Sequence, residues 1–192
     1  MRDYGHEAPP PLLELDAFLA GREVSPALSL VILGEVQDPH NVGAIIRSAA
    51  AFGASGVLIP ERRQAPITPV VLSASAGAAW DIPLVSVGNV NQAIRTLKER
   101  GFWTYGLAGD GANPLGKERF DAPAAFVLGN EGEGLREKTR EHCDIVLSIP
   151  QSTRVESLNV SNAAAVALYA WSAQHPEALR PELARCSSAQ RP

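Results

Sequence analysis

Short, unbroken apolar runs alternate with stretches of helical periodicity along most of this chain, and that alternation restricts its fold more than any other feature. Leu30–Leu33, Val57–Ile59, Leu84–Val87, Trp103–Leu107, Ala125–Leu128 and Ile145–Ile149 read as strands. Val42–Gly53, Thr68–Ala76, Val90–Arg100, Leu135–Glu141 and a segment beginning near Ser157–Asn159 read as helices. Strands apolar on both faces need cover on both, and intervening helices supply it. The pattern therefore predicts the α/β class, a parallel sheet with helices on both faces. The last helix carries its apolar stripe at Val160, Ala163, Ala164, Ala167, Leu168 and Trp171; the first major helix carries the same stripe at Val42, Ile45, Ile46, Ala49, Ala50 and Gly53.

A length of 192 residues suits one domain with a substantial core. The α/β rhythm occupies residues 29–174. Residues 1–28 open with Pro9-Pro10-Pro11, an extended spacer, and a short helix over Leu12–Ala20 ending at Gly21, and read as an appendage. Residues 175–192 read as a frayed tail. No apolar run approaches the roughly 20 residues of a membrane span, and the polar N-terminus resembles neither a signal nor a transit peptide, so the expected location is cytoplasmic. Cys143 and Cys186 form no CxxC pair, and His6, His40, His142 and His175 lack metal-ligand spacing, so no metal is expected. The net charge of −4 gives no general attraction to nucleic acid. Binding depends on local patches, however, and these exist at Arg62-Arg63, at Arg136, Lys138 and Arg140, and at Arg154.

Polar chemistry gathers at three strand exits, where open parallel sheets bind ligands. At the first, Asp38-Pro39-His40-Asn41-Val42-Gly43 leads into a helix bearing Arg47. Asn41 is either a helix cap or a site residue. Helical side chains lean toward the N-terminus, so Arg47 is expected to lie back across the bare Gly43 toward Asn41. At the second, the strand Phe126-Val127-Leu128 runs into Gly129-Asn130-Glu131-Gly132-Glu133-Gly134. Its G-x-x-G-x-G spacing departs from the dinucleotide fingerprint, which disfavours a nicotinamide-dependent oxidoreductase. Glu131 is either a solvated turn residue or the partner of a cation such as Arg47. At the third, Ser157, Asn159, Ser161 and Asn162 crowd the start of the last helix, more small polar groups than capping requires.

The run DPHNVGAIIRSAAAFG resembles motif 1 of the SpoU/TrmH family of RNA ribose 2′-O-methyltransferases, FVLGNEGEGL its motif 2 and SIPQSTRVESLNVSNAAAVALY its motif 3. The similarity covers residues 30–173. The intervening SASAGAAWDIPL and TREHCD resemble the branch that methylates a guanosine of 23S rRNA. Gln151 and Thr153 stand where the family usually has a methionine and a glycine.

The resemblance implies the α/β-knot of the SPOUT superfamily, with a C-terminal trefoil knot, and a homodimer with active sites near the subunit interface. It implies transfer of a methyl group from S-adenosyl-L-methionine to RNA, either tRNA or rRNA. By matched position, Leu107, Ala108, Leu128, Gly129, Ile149 and Leu158 would hold the cofactor, and Asn41, Arg47, Glu131, Ser157 and Asn159 would form the catalytic set. Many relatives carry a separate N-terminal RNA-binding domain, which residues 1–28 are too short to form. RNA contacts are expected from Arg47, Arg62, Arg63 and Arg154. A guanidinium stays protonated. Arg47 is therefore expected to stabilise a developing alkoxide and grip the adjacent phosphate, with Asn41 and Glu131 orienting it and Ser157 and Asn159 holding the loop and ribose. A methylation-inactive RNA-binding or assembly protein of the same fold is the alternative.

Overall fold

The computed structural model describes residues 8–180. Expectations for the first residues and for the tail beyond 180, Cys186 included, lie outside the described residues. In chain order the elements are β1 (Leu13–Glu14), α1 (Leu15–Leu19), β2 (Ser29–Leu33), α2 (Pro39–Ala51), β3 (Gly56–Pro60), α3 (Pro69–Ala74), α4 (Ala78–Asp81) and β4 (Leu84–Val87). There follow α5 (Val90–Glu99), β5 (Trp103–Leu107), β6 (Asn113–Pro114), β7 (Ala124–Leu128), α6 (Glu137–His142), β8 (Ile145–Ser148) and α7 (Val160–Gln174).

The eight strands form one sheet in the order β1-β4-β3-β2-β7-β5-β8-β6, and every pairing is parallel. Successive residues of the central strands point to opposite sides. Val31 and Leu33 of β2, with Phe126 and Leu128 of β7, pack beneath α2, α3, α4 and α7. Leu30, Ile32, Ala125 and Val127 face α1 and α5 instead. Both faces are therefore covered, which is why these strands are apolar throughout rather than alternating. Each fully buried Leu, Ile or Val contributes about 1.5–3 kcal/mol over its exposed state.

After β4 the chain crosses from one side of the sheet to β5 on the other, so strand order reverses at the central pair β2 and β7. Open α/β sheets bind ligands outside the carboxyl ends of strands at such a point. The two exits are close: a Cβ added at Gly34 would lie 2.0 Å from the Leu128 carbonyl oxygen.

Several boundaries differ from expectation. Leu12–Ala20 is not one helix but an edge strand and a five-residue helix. The segment is no loose appendage either: Phe18 and Leu19 are buried against the sheet, with the Phe18 ring over Gly56. α2 begins at Pro39, capped by Asp38, whose carboxylate accepts from the His40 N–H at 2.8 Å. Proline at the first helical position suits such a start. The expected helix Thr68–Ala76 is α3, and Ala76 and Gly77, in left-handed backbone at φ 52° and 89°, separate it from α4, a further short helix that was not expected. The edge strands β1 and β6 hold two residues each, too few for any periodicity to betray.

Candidate active site

The glycine turn after β7 is a closed loop built by its own sequence. Asn130 and Gly134 exchange backbone hydrogen bonds of 3.0 and 2.9 Å. The Asn130 side-chain oxygen accepts from the Gly132 and Glu133 N–H groups at 2.9 and 3.2 Å, and Gly134 takes φ 67° to close the turn. The Asn130 amide also donates to the Glu35 carbonyl at 2.9 Å, lashing the turn to the β2 exit.

This geometry delivers Glu131 to the segment ahead of α2. Its carboxylate accepts from the backbone N–H of Gln37 at 3.0 and 3.1 Å and of Asp38 at 2.9 Å, and from the Asn41 amide at 3.3 Å. Burial alone would raise the Glu131 pKa, but these donors outweigh it and hold the carboxyl below its usual range. Asn41, 9% exposed in the first turn of α2, spends its other end on the third junction: its Oδ1 accepts from the Asn159 amide at 3.0 Å. Asn159 caps α7, accepting from the Ser161 N–H and hydroxyl at 2.8 and 2.6 Å and from the Asn162 N–H at 3.4 Å. Asn41 is therefore no helix cap. It bridges a carboxylate and a capping amide carried by two other junctions.

Arg47 does not join this chain. It is exposed on α2 and has no hydrogen-bond or ion-pair partner among the described residues. The expected path across Gly43 is closed, because a Cβ there would lie 2.5 Å from the Ala74 Cβ and 2.7 Å from the Val71 carbonyl oxygen. The missing side chain makes room for α3 rather than for Arg47. Nor does Glu131 pair with the guanidinium; backbone N–H groups fill its place.

Beside Glu131 opens a cleft of about 430 Å³. Leu107, Ala108, Leu128, Gly129, Ile149 and Leu158 all line it, as do Glu131 and Ser157. Ser157 makes no hydrogen bond among the described residues. Ile149 lies just past the end of β8 rather than within it. The walls combine apolar side chains with the carboxylates of Glu131, Glu133 and Glu156. Sequence reasoning named Arg140 only within a basic patch and missed Asp110; both line the cleft and form an ion pair of 2.7 Å. Thirty positions apart in the chain, they offer no spacing signal.

The cations expected to meet RNA separate into three places, Arg47 being exposed on α2. Arg62 and Arg63 line a second cavity of about 610 Å³ on the far side of the glycine turn. Arg154 is exposed on the loop before α7 and lines neither cavity.

The sequence profile of the SpoU rRNA methylase family matches residues 29–169. A protein of Synechocystis named as an uncharacterized tRNA/rRNA methyltransferase is 46% identical over 145 residues, 76% of this chain and 38% of that one. The 23S rRNA (guanosine-2′-O-)-methyltransferase RlmB of Pseudomonas putida is 42% identical over 151 residues, 79% of this chain and 60% of its own. The chain thus spans less than two thirds of the length of these curated relatives. Among solved structures, the SpoU methyltransferase AviRb of Streptomyces viridochromogenes, in complex with the cofactor AdoMet, superposes with a TM-score of 0.77 at 28% identity, covering 87% of this chain and 66% of that one.

Proposed function

The chain belongs to the SpoU rRNA methylase family, and from that premise we propose that it transfers a methyl group from S-adenosyl-L-methionine to a ribose 2′-OH in structured RNA, tRNA or rRNA. One observation carries the reading: the six positions matched to cofactor binding line a single cleft, and that cleft adjoins the Glu131–Asn41–Asn159 chain. The catalytic unit is residues 29–174, working in the cytoplasm as a homodimer. Val166 and Tyr169 of α7, 41% and 64% exposed, support an interface on that helix.

The cleft fits the proposed cofactor. Its volume falls within the roughly 300–1,000 Å³ of small-molecule sites. Leu107, Leu128, Ile149 and Leu158 offer apolar walls for a purine and a carbon chain, while Glu131, Glu133 and Glu156 place negative charge where a cationic ligand would sit. When bound, S-adenosyl-L-methionine supplies a methyl group on a sulfonium, already a good leaving group.

The chain's own residues then position the hydroxyl and raise its nucleophilicity. Ser157, at the cleft wall and without a hydrogen-bond partner among the described residues, is placed to hold the ribose. Glu131 and Asn41 fix the two loops that frame it, and Asn159 holds the start of α7 against them. Arg47, exposed and without an ion-pair partner among the described residues, meets the RNA phosphate next to the reacting hydroxyl and stabilises the charge that develops there. Such preorganised charge is commonly worth about 3 kcal/mol.

Two measurements test the reading together. Calorimetric titration with S-adenosyl-L-methionine should give one site per chain, and mass-spectrometric mapping of 2′-O-methyl nucleotides in total RNA should show a modification that depends on the protein. A chain that binds RNA and no methyl donor would instead be a fold-retaining RNA-binding protein.

A further inference from the structure

The second cavity shares a wall with the cofactor cleft: Leu128, Gly129, Gly134 and Leu135 line both. Its far side carries Arg62, Arg63, Arg136 and Lys138. Two carboxylates, those of Glu35 and Glu137, share the lining with these four cations, so the cavity keeps a positive excess. Glu35 is held by Arg136 at 2.7 Å, Glu61 accepts from the Ser86 hydroxyl, and Glu137 lies on the first turn of α6. Asn91, at the start of α5, also lines the cavity, and its side-chain oxygen is buried without a hydrogen-bond partner among the described residues.

The arginine loop is tied to the proposed catalytic chain. The Gln64 side chain accepts from the Val36 N–H at 2.9 Å and donates to the Val36 carbonyl at 2.7 Å. The Gln37 side chain donates to the Arg63 carbonyl, while the Gln37 N–H is held by Glu131. Arg63 and Glu35, both cavity residues, take left-handed backbone at φ 55° and 65°. Non-glycine residues adopt that conformation only where their surroundings impose it. The cations are thus fixed relative to Glu131 rather than carried on a free loop.

We propose that this second cavity binds a nucleotide of the substrate strand adjacent to the one methylated, its phosphodiester held by Arg62, Arg63, Arg136 and Lys138 and its base reaching the Asn91 side chain. The inference rests on the RNA methyl-transfer reading and adds to it the place where the neighbouring nucleotide sits. Phosphate contacts fix the register of the strand and the Asn91 amide reads a base edge.

The test uses the full chain with a short fluorescently labelled single-stranded RNA of mixed sequence, titrated by anisotropy at several salt concentrations. Arg62→Ala and Lys138→Ala alter exposed side chains and leave the core intact. Each should weaken binding several-fold and lower the slope of log affinity against log salt by roughly one phosphate contact, about 0.7 for a single strand. Calorimetric binding of S-adenosyl-L-methionine should be unchanged in both. Arg100→Ala, an exposed cation at the opposite end of α5, should bind RNA as the parent does. Parent-like affinity and slope in both cavity variants would overturn the assignment, as would an equal loss in Arg100→Ala, which would mark mere surface charge. If the parent binds the methyl donor but neither this RNA nor folded total RNA, the underlying functional reading falls and this one with it; binding of folded RNA alone would overturn the single-strand subsite and leave that reading standing.

Discussion

The Asn159 amide donates to the side-chain oxygen of Asn41 at 3.0 Å although 118 positions separate them. The other end of Asn41 donates to Glu131, so one short side chain joins all three polar junctions. Asn41→Ala removes a nearly buried side chain and leaves the Asn159 amide and a Glu131 carboxylate oxygen without their partner. The expected loss of stability is about 1–2 kcal/mol, and methyl transfer should fall at least tenfold. Asn41→Asp should be worse at neutral pH, because it sets a second carboxylate against Glu131. Chemical denaturation of the three proteins orders them, and an Asn41→Asp variant as stable as the parent would refute the bridge.

Glu131 gives a pH dependence whose sign follows from its surroundings. Burial pushes its pKa up, and the Gln37 and Asp38 N–H groups with the Asn41 amide pull it further down. Asp144 is similar: burial opposes, while the Thr104 N–H, Lys98 and the Thr104 hydroxyl prevail. With folded-state values below the unfolded ones, the unfolded chain binds more protons between them. The stabilisation is therefore complete above the usual carboxylate range and is lost as pH falls through the folded-state values. Tm should hold level from neutral pH down to that range and decline below it. In Glu131→Gln the decline should be shallower, with about 1 kcal/mol less stability at neutral pH, given the partial exposure of the carboxylate.

Arg47 separates function from stability. Exposed and unpartnered among the described residues, it has no structural bond to lose. Arg47→Lys should stay within about 0.5 kcal/mol of the parent. It keeps the charge and loses the planar fork, so methyl transfer should drop by on the order of a hundredfold. Near-full methylation by this variant, measured as transferred label from S-adenosyl-L-methionine, would remove Arg47 from the mechanism.

Gly129 is the position where backbone alone leaves no room. A Cβ there would lie 2.2 Å from the Gly134 carbonyl carbon and 2.4 Å from the Leu135 nitrogen. Gly129→Ala must open the turn that delivers Glu131 and forms the wall between the two cavities. S-adenosyl-L-methionine affinity should fall more than tenfold in calorimetry while the far-UV circular dichroism stays that of the parent.

The sheet class, the strands Leu84–Val87 and Trp103–Leu107, and the clustering of polar groups at strand exits were legible because buried parallel strands advertise themselves as apolar runs. The six positions that the resemblance pointed to all line one cleft. What pairs with Glu131 was not legible. Opposite charge suggested Arg47, but backbone N–H groups ahead of a helix compete for a carboxylate, and sequence does not show which donor lies nearer. Gly43 misled for a related reason: a bare Cα signals a close approach, and only the folded chain shows that α3 is what approaches. The Asp110–Arg140 pair left no trace, since nothing in the spacing of two surface charges marks them as neighbours.

The two-residue strands at either rim of the sheet have a consequence in concentrated solution. A growing fibril recruits a chain through a run of free backbone N–H and C=O groups, and neither rim offers one; at one of them Pro114 has no N–H to give. Among the described residues, strand-on-strand growth between copies therefore has little edge to start from. Their association is left to the helical faces, where side chains rather than backbone decide which partner is accepted.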